Sequence, residues 1–132
     1  MPLDHPLLYP MLAHLLWVTL LYGWLTIVRA PTAWSVGARK DGSNPFAAIE
    51  MRITANLRNQ FEWPLFFYVV CLLFLQEPSS PHGSEIWLAW LFVIGRFLHS
   101  GIQIMTSNVR LRGVIFTVNF VAVLGMWLAL LT

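Results

Sequence analysis

The chain has 132 residues, 58% of them hydrophobic and only 11% charged, with a mean hydropathy of +0.66. A soluble domain carries about 25% charged residues, so this composition excludes an ordinary water-soluble globule and points to a membrane protein. The net charge of +2 comes from scattered basic residues without a Lys/Arg run, which argues against nucleic acid as a partner.

Each membrane-crossing helix needs about 20 residues, so the length suits a single domain over 1–132 built as an all-α bundle of four transmembrane helices. The first span is expected over 7–28, with Pro10 near its start, where a missing N–H is tolerated. The N-terminus lacks the positive region of a signal peptide, so this span is expected to stay. Arg29-Ala-Pro31 should end it, and the turn formers and charges up to Pro45 read as a loop. A second span is expected over 46–76, opening at Ser43-Asn44-Pro45 and bent beside Glu62 by the internal Pro64. The Pro- and Ser-rich stretch from Glu77 to Ser84 makes a turn, a third span covers 85–105, and Thr106 to Gly113 closes it. The fourth span, 114–131, carries Asn119 as its only strongly polar residue.

Orientation follows from the basic residues. Arg29, Arg39 and Lys40 flank the first loop and Arg110 and Arg112 the third, whereas the other end carries none. Positive-inside then places both basic loops in the cytoplasm and both termini on the opposite side, as for a bacterial inner-membrane protein.

Two polar stripes interrupt the apolar pattern. On span two, Arg52, Asn56, Arg58, Asn59 and Glu62 fall on one broad arc, with Arg58 and Glu62 as an i, i+4 pair. On span three, Arg96, His99, Ser100, Gln103 and Ser107 make a narrower stripe. Unsatisfied polar groups in hydrocarbon cost several kcal/mol each, so the stripes should face one another, and two readings stay open. They are interhelical glue that needs no ligand, or, because Arg52, Arg58, Arg96, Arg110, Arg112 and nearby Arg29 outnumber Glu50 and Glu62, they line a site for an anion. His14 is a candidate ligand or proton relay, or else a packed hydrogen-bond partner. No metal site is expected: His14, His82 and His99 never pair at i, i+3 or i+4, and Cys71 is the single cysteine, which also excludes an internal disulfide. The small residues Gly23, Gly95, Ser100, Gly101 and Gly125 allow close helix approach and support oligomerisation.

At Arg58-Asn59-Gln-Phe-Glu62, followed by Pro64-Leu-Phe66, and at Arg96-x-x-His99, the sequence resembles the MAPEG family, membrane-associated proteins of eicosanoid and glutathione metabolism, and within it the prostaglandin-synthase branch with its bacterial relatives. The resemblance covers nearly the whole chain. It implies a homotrimer in contact with membrane lipids, with glutathione bound between neighbouring subunits near the cytoplasmic side. It also implies a transferase or peroxidase activity on a lipophilic small molecule; a non-catalytic lipid-binding or scaffold protein of the same fold, or an accessory subunit of a membrane complex, is the alternative. Arg29, Arg58, Asn59, Glu62, His99 and Gln103 match the family's glutathione-contacting positions, and Arg110 or Arg112 the arginine that stabilises the thiolate, with Arg112 nearer the start of span four. The sequence departs from the family at Gln103, where the enzymes carry a Tyr, at Ala55, where one of them carries an Arg, and in the closeness of Glu62 to Pro64. An arginine beside a sulfur lowers the thiol pKa and populates the nucleophilic thiolate.

Overall fold

A computed structural model describes residues 4–78 and 83–132, in five helices: α1 (Leu8–Trp34), α2 (Ala47–Phe61), α3 (Pro64–Gln76), α4 (Gly83–Met105) and α5 (Val109–Ala129). Three of these, α1, α4 and α5, are long and apolar enough to cross a membrane. α2 and α3 are each too short and follow one another as the two halves of the remaining limb, packed antiparallel to α1 and to α4. Arg29 near the end of α1 pairs with Glu50 near the start of α2, Arg52 of α2 bonds to Ile104 near the end of α4, and α5 runs back along α4 from Asn119 at Gly95 to Gly125 at Leu88. Residues 79–82, in the expected 77–84 turn, lie outside the described residues.

The boundaries differ from the sequence-based expectation in three places. α1 does not end at 28 but passes through Pro31 and stops at Ser35, which adopts the left-handed conformation (φ 57°). A helical proline removes one bond only, and the last turn is tied down from outside, since the Asn44 side-chain amide donates to Val28 O at 2.9 Å and to Thr32 Oγ1 at 3.0 Å. The expected single span over 46–76 is broken, not merely bent. Glu62 leaves helical geometry (φ −84°, ψ −91°), and Pro64 begins α3 as a first-turn proline, where its missing N–H is no loss. Finally, α5 starts five residues before the expected 114, because the Asn108 side chain caps it by accepting from Leu111 N at 3.0 Å. Arg110 and Arg112 are therefore helical residues, not loop residues.

Two apolar clusters lie at the two ends of the bundle. Phe67, Val70, Cys71 and Phe74 of α3 meet Phe92 and Val93 of α4 and Val123 and Met126 of α5 at one end; Val18, Leu21, Leu25 and Val28 of α1 meet Ile53 and Leu57 of α2 and Ile104 of α4 at the other. Cys71 is thus a core packing residue. The polar side chains of α2 and α4 occupy the layer between the clusters. Three threonines on the outer faces close their bonds locally instead: Thr19, Thr26 and Thr117 each donate to the carbonyl four residues earlier, which leaves these hydroxyls no free donor toward lipid.

Of the small residues, Gly95, Ser100 and Gly125 serve packing or bonding within the chain. A Cβ at Gly95 would overlap the Asn119 carboxamide, and one at Gly125 would press on Leu88 at 3.2 Å, whereas Gly23 and Gly101 face open space. In the α1–α2 loop, Asp41 accepts from the Ser43 hydroxyl and N–H, and these bonds hold its carboxyl below the usual carboxylate range.

Candidate functional site: a buried amide chain and a cationic cavity

The two polar stripes face each other and are joined by hydrogen bonds whose directions are fixed from one end. Arg96, fully buried, is a donor only. Its Nε donates to Gln60 Oε1 at 3.1 Å and its Nη2 to the Asn59 carbonyl at 2.9 Å. Gln60 therefore turns its amino group the other way, donating to Ser100 Oγ at 2.9 Å and to Asn56 Oδ1 at 3.2 Å. Ser100 already accepts from Trp17 Nε1, so its hydroxyl donates to Asn56 Oδ1 at 2.9 Å. The Asn56 amino group then donates to Gln103 Oε1 at 2.9 Å, where Asn59 Nδ2 also donates at 3.2 Å.

His14 joins the same chain. Gln60 Oε1 is an acceptor, so His14 Nε2, 2.9 Å away, carries the proton, and Nδ1 accepts from the Tyr68 hydroxyl at 2.8 Å. Of the two readings left open for His14, the packed hydrogen-bond partner is what its surroundings display. Gln60, absent from the sequence-based arc, is the hub of the chain; its i, i+4 spacing from Asn56 was the available signal.

Beside this chain lies a cavity of about 470 Å³, lined by Ala55, Arg58, Asn59, His99, Gln103, Val109, Arg112, Gly113 and Phe116. Its lining contains two arginines and no acid. Neither the Arg58 nor the Arg112 side chain has a hydrogen-bond or ion-pair partner among the described residues, and His99 Nδ1 and Arg96 Nη1 are buried without a partner. Buried polar atoms without partners are rare in folded proteins, and the Arg96 donor together with the uncompensated cations suits an anionic ligand.

The expected site residues separate into two groups. Arg58, Asn59, His99, Gln103 and Arg112 line this one cavity. Arg29 does not: it is neutralised by Glu50 through a 2.8 Å bond from Nε, and its Nη2 donates to Thr54. It lines two further cavities, of about 460 and 270 Å³, that also touch Arg58. Arg110 is exposed and outside the lining. Glu62 is exposed at the helix break and forms no ion pair with Arg58 despite the i, i+4 spacing. Pairing Arg29 with Glu50 removes one cation and one acid from the count, so the excess of cations is unchanged.

The α2 break and the arginines are one construction. Arg96 from α4 supplies a donor to a carbonyl of the last turn of α2, and Arg52 from α2 does the same for Ile104 O at the end of α4, at 3.1 Å, and for Ser107. A guanidinium at a helix C-terminus satisfies an orphan carbonyl and sits well in the macrodipole. Trp63, at the break, stacks on Phe120 of α5 with ring centroids 4.4 Å apart.

No curated protein and no solved structure matches the chain significantly. The model of the MAPEG family matches residues 7–132, and with this four-limbed helical architecture the chain belongs to that membrane family.

Proposed function

We propose that the protein is a glutathione-dependent membrane transferase or peroxidase acting on a lipophilic electrophile, with glutathione in the cavity between α2, α4 and α5. Membership supports the coarser statement, a membrane family of glutathione-related transfer and peroxidase chemistry. The observation that carries the finer one is the lining of the cavity: two unpaired arginines and two amide-bearing side chains with no acid among them. Glutathione fits that donor set, since it offers two carboxylates and a thiol that ionises. When bound, glutathione supplies a sulfur nucleophile. In this reading Arg58 holds a carboxylate, Asn59 and His99 orient the peptide, and Arg112 keeps the sulfur in its thiolate form near neutral pH. Glu62, exposed at the end of α2, is the acceptor for the ligand's amine.

The same residues support assembly. Arg58 and Glu62 are exposed on the subunit surface together with Met51 and Ala55, and a charge left uncovered in the bilayer core costs roughly 2.5–3.5 kcal/mol on insertion scales. A neighbouring copy that covers this face removes that cost and completes the site, as in the homotrimer that the resemblance implies.

The test is a pair of substitutions. Arg112→Leu should abolish the thiolate absorbance of bound glutathione at neutral pH and lower turnover by about 10²-fold or more, the scale of one electrostatic stabiliser, while binding persists through Arg58. Arg110→Leu should leave the thiolate signal in place. The proposal falls if the unmutated protein in detergent neither binds glutathione at millimolar concentration nor conjugates an aryl halide.

A further inference from the structure

We infer that Gln103 presents its amino group, and not its carbonyl, to the cavity, and that Gln60, buried on the far side of Asn56, sets this polarity. The cavity is then an acceptor-seeking site whose sign is decided by a residue that does not line it. This inference concerns the cavity of the proposed glutathione site, and its first readout needs no ligand.

The argument is one of directed bonds. A carboxamide presents a donor on one side and an acceptor on the other, so fixing one end of a row of them fixes every member. Here the fixed end is Arg96, which can only donate, and it takes Gln60 Oε1 together with His14 Nε2. Gln60 must then donate to Asn56 Oδ1, and Asn56 must donate to Gln103 Oε1. That oxygen accepts from Asn59 as well, so both its lone pairs are engaged. The Gln103 amino group has no partner among the described residues and lines the cavity with Arg58, Arg112 and His99. Each of these offers a donor, which selects a carboxylate or a thiolate on the ligand. A tyrosine at this position would carry a hydroxyl that rotates to donate or accept; the locked glutamine does not.

Replacing Gln60 by Glu reverses the row without touching the cavity. One carboxylate oxygen keeps the bonds from Arg96 and His14, and the pair with Arg96 favours folding. The other oxygen replaces a donor with an acceptor, so Asn56 turns its amino group toward it and offers its carbonyl to Gln103. Ser100 moves its hydroxyl proton from Asn56 Oδ1 to the new carboxylate oxygen, Asn59 gives up its bond to Gln103 Oε1, and Gln103 donates to Asn56 with its oxygen facing the cavity. A Gln103→Glu change puts an acceptor there directly, with Asn56 and Asn59 still donating to it.

Protein labelled with 15N-glutamine in detergent micelles has three side-chain amide groups, from Gln60, Gln76 and Gln103. In the unmutated chain the Gln60 amide protons should be protected from exchange and those of Gln103 should exchange readily. In Gln60→Glu the Gln103 protons should become protected. An unchanged Gln103 signal overturns the inference. Should Gln60→Glu fail to fold, Asn56→Asp reverses the same link one step nearer and is read the same way. In the ligand arm, Gln60→Glu and Gln103→Glu should each weaken glutathione binding by about tenfold or more, the scale of one charge-assisted hydrogen bond lost. Loss of affinity in Gln103→Glu with none in Gln60→Glu counts against the relay. The sulfur-free analogue γ-glutamyl-aminobutyryl-glycine separates the acceptors: it loses affinity in both variants if Gln103 meets a carboxylate, and in neither if Gln103 meets the sulfur. If the unmutated protein binds no glutathione, the proposed function fails while the exchange measurement still decides the polarity of the row.

Discussion

At the scale of single residues, position and not identity separates the arginines. Arg29 and Arg112 carry the same guanidinium, yet one is neutralised by Glu50 and the other faces a cavity with no acid in its lining. Asn119 shows the same dependence on surroundings. It is fully buried, neither of its side-chain polar atoms has a partner, and its carboxamide occupies the space left by the missing Cβ of Gly95. Gly95→Ala should therefore destabilise the protein by about 1–3 kcal/mol, the range for overpacking a tight contact. Asn119→Ala removes the overlapping atoms and an unsatisfied polar group together, so the double variant should recover most of the loss. Unfolding in detergent for the two single variants and the pair checks this, and a purely additive result contradicts the contact.

At the scale of elements, the break between α2 and α3 organises the site. Pro64 makes a continuous helix unfavourable, but the break is stable because its exposed carbonyl has a buried donor in Arg96. Removing that guanidinium strips the bonds to Asn59 O and Gln60 Oε1 at once; Gln60 Oε1 keeps His14 Nε2, whereas Asn59 O loses its side-chain donor. Arg96→Met should cost about 1–3 kcal/mol, the scale of one buried group left unpaired. Arg52→Met removes the corresponding cap of α4 at a half-exposed place, where solvent and headgroups can substitute, and should cost under about 1 kcal/mol. Denaturation of both variants in the same detergent measures the difference. Equal losses would show that the Arg96 contact carries no special weight. The break was only half legible: Pro64 announced a bend, whereas the residue that seals the gap is far along the chain.

At the scale of the whole molecule, charge is distributed lengthwise. Arg29, Arg39, Lys40, Arg52, Arg110 and Arg112 gather at the end where α1 meets α2 and α4 meets α5, while Asp4, Glu77 and Glu85 belong to the other. The basic end should face the cytoplasm. In a Cys71→Ser background, a cysteine at Ser43 should react with an impermeant reagent only after the membrane is opened, and one at Thr132 should react in intact cells. The opposite pattern would turn the cavity outward. Crosslinking in mild detergent should give a trimer, and a monomer throughout would leave Arg58 and Glu62 uncovered and remove the intersubunit site.

What the sequence determined by itself is what composition and periodicity control. Apolar runs of membrane length, a polar stripe on α4 and a matching one on α2 follow from local spacing, and each was readable because burial of a polar side chain in lipid demands a partner of the same kind. The Arg58-Asn59 and Arg96-x-x-His99 pairs likewise pointed to one face of the bundle, and the family follows from the same residues. Only the tertiary structure decided which cations were spent. Whether Arg29 meets Glu50, whether Arg112 and not Arg110 lines the cavity with His99, and whether Glu62 pairs with Arg58 depend on the rotation of helices about one another and on where each side chain then lies. The sense of the amide row belongs there too. A glutamine in a sequence is donor and acceptor alike, and it becomes one or the other only when a donor such as Arg96, brought in from another helix, engages its carbonyl oxygen.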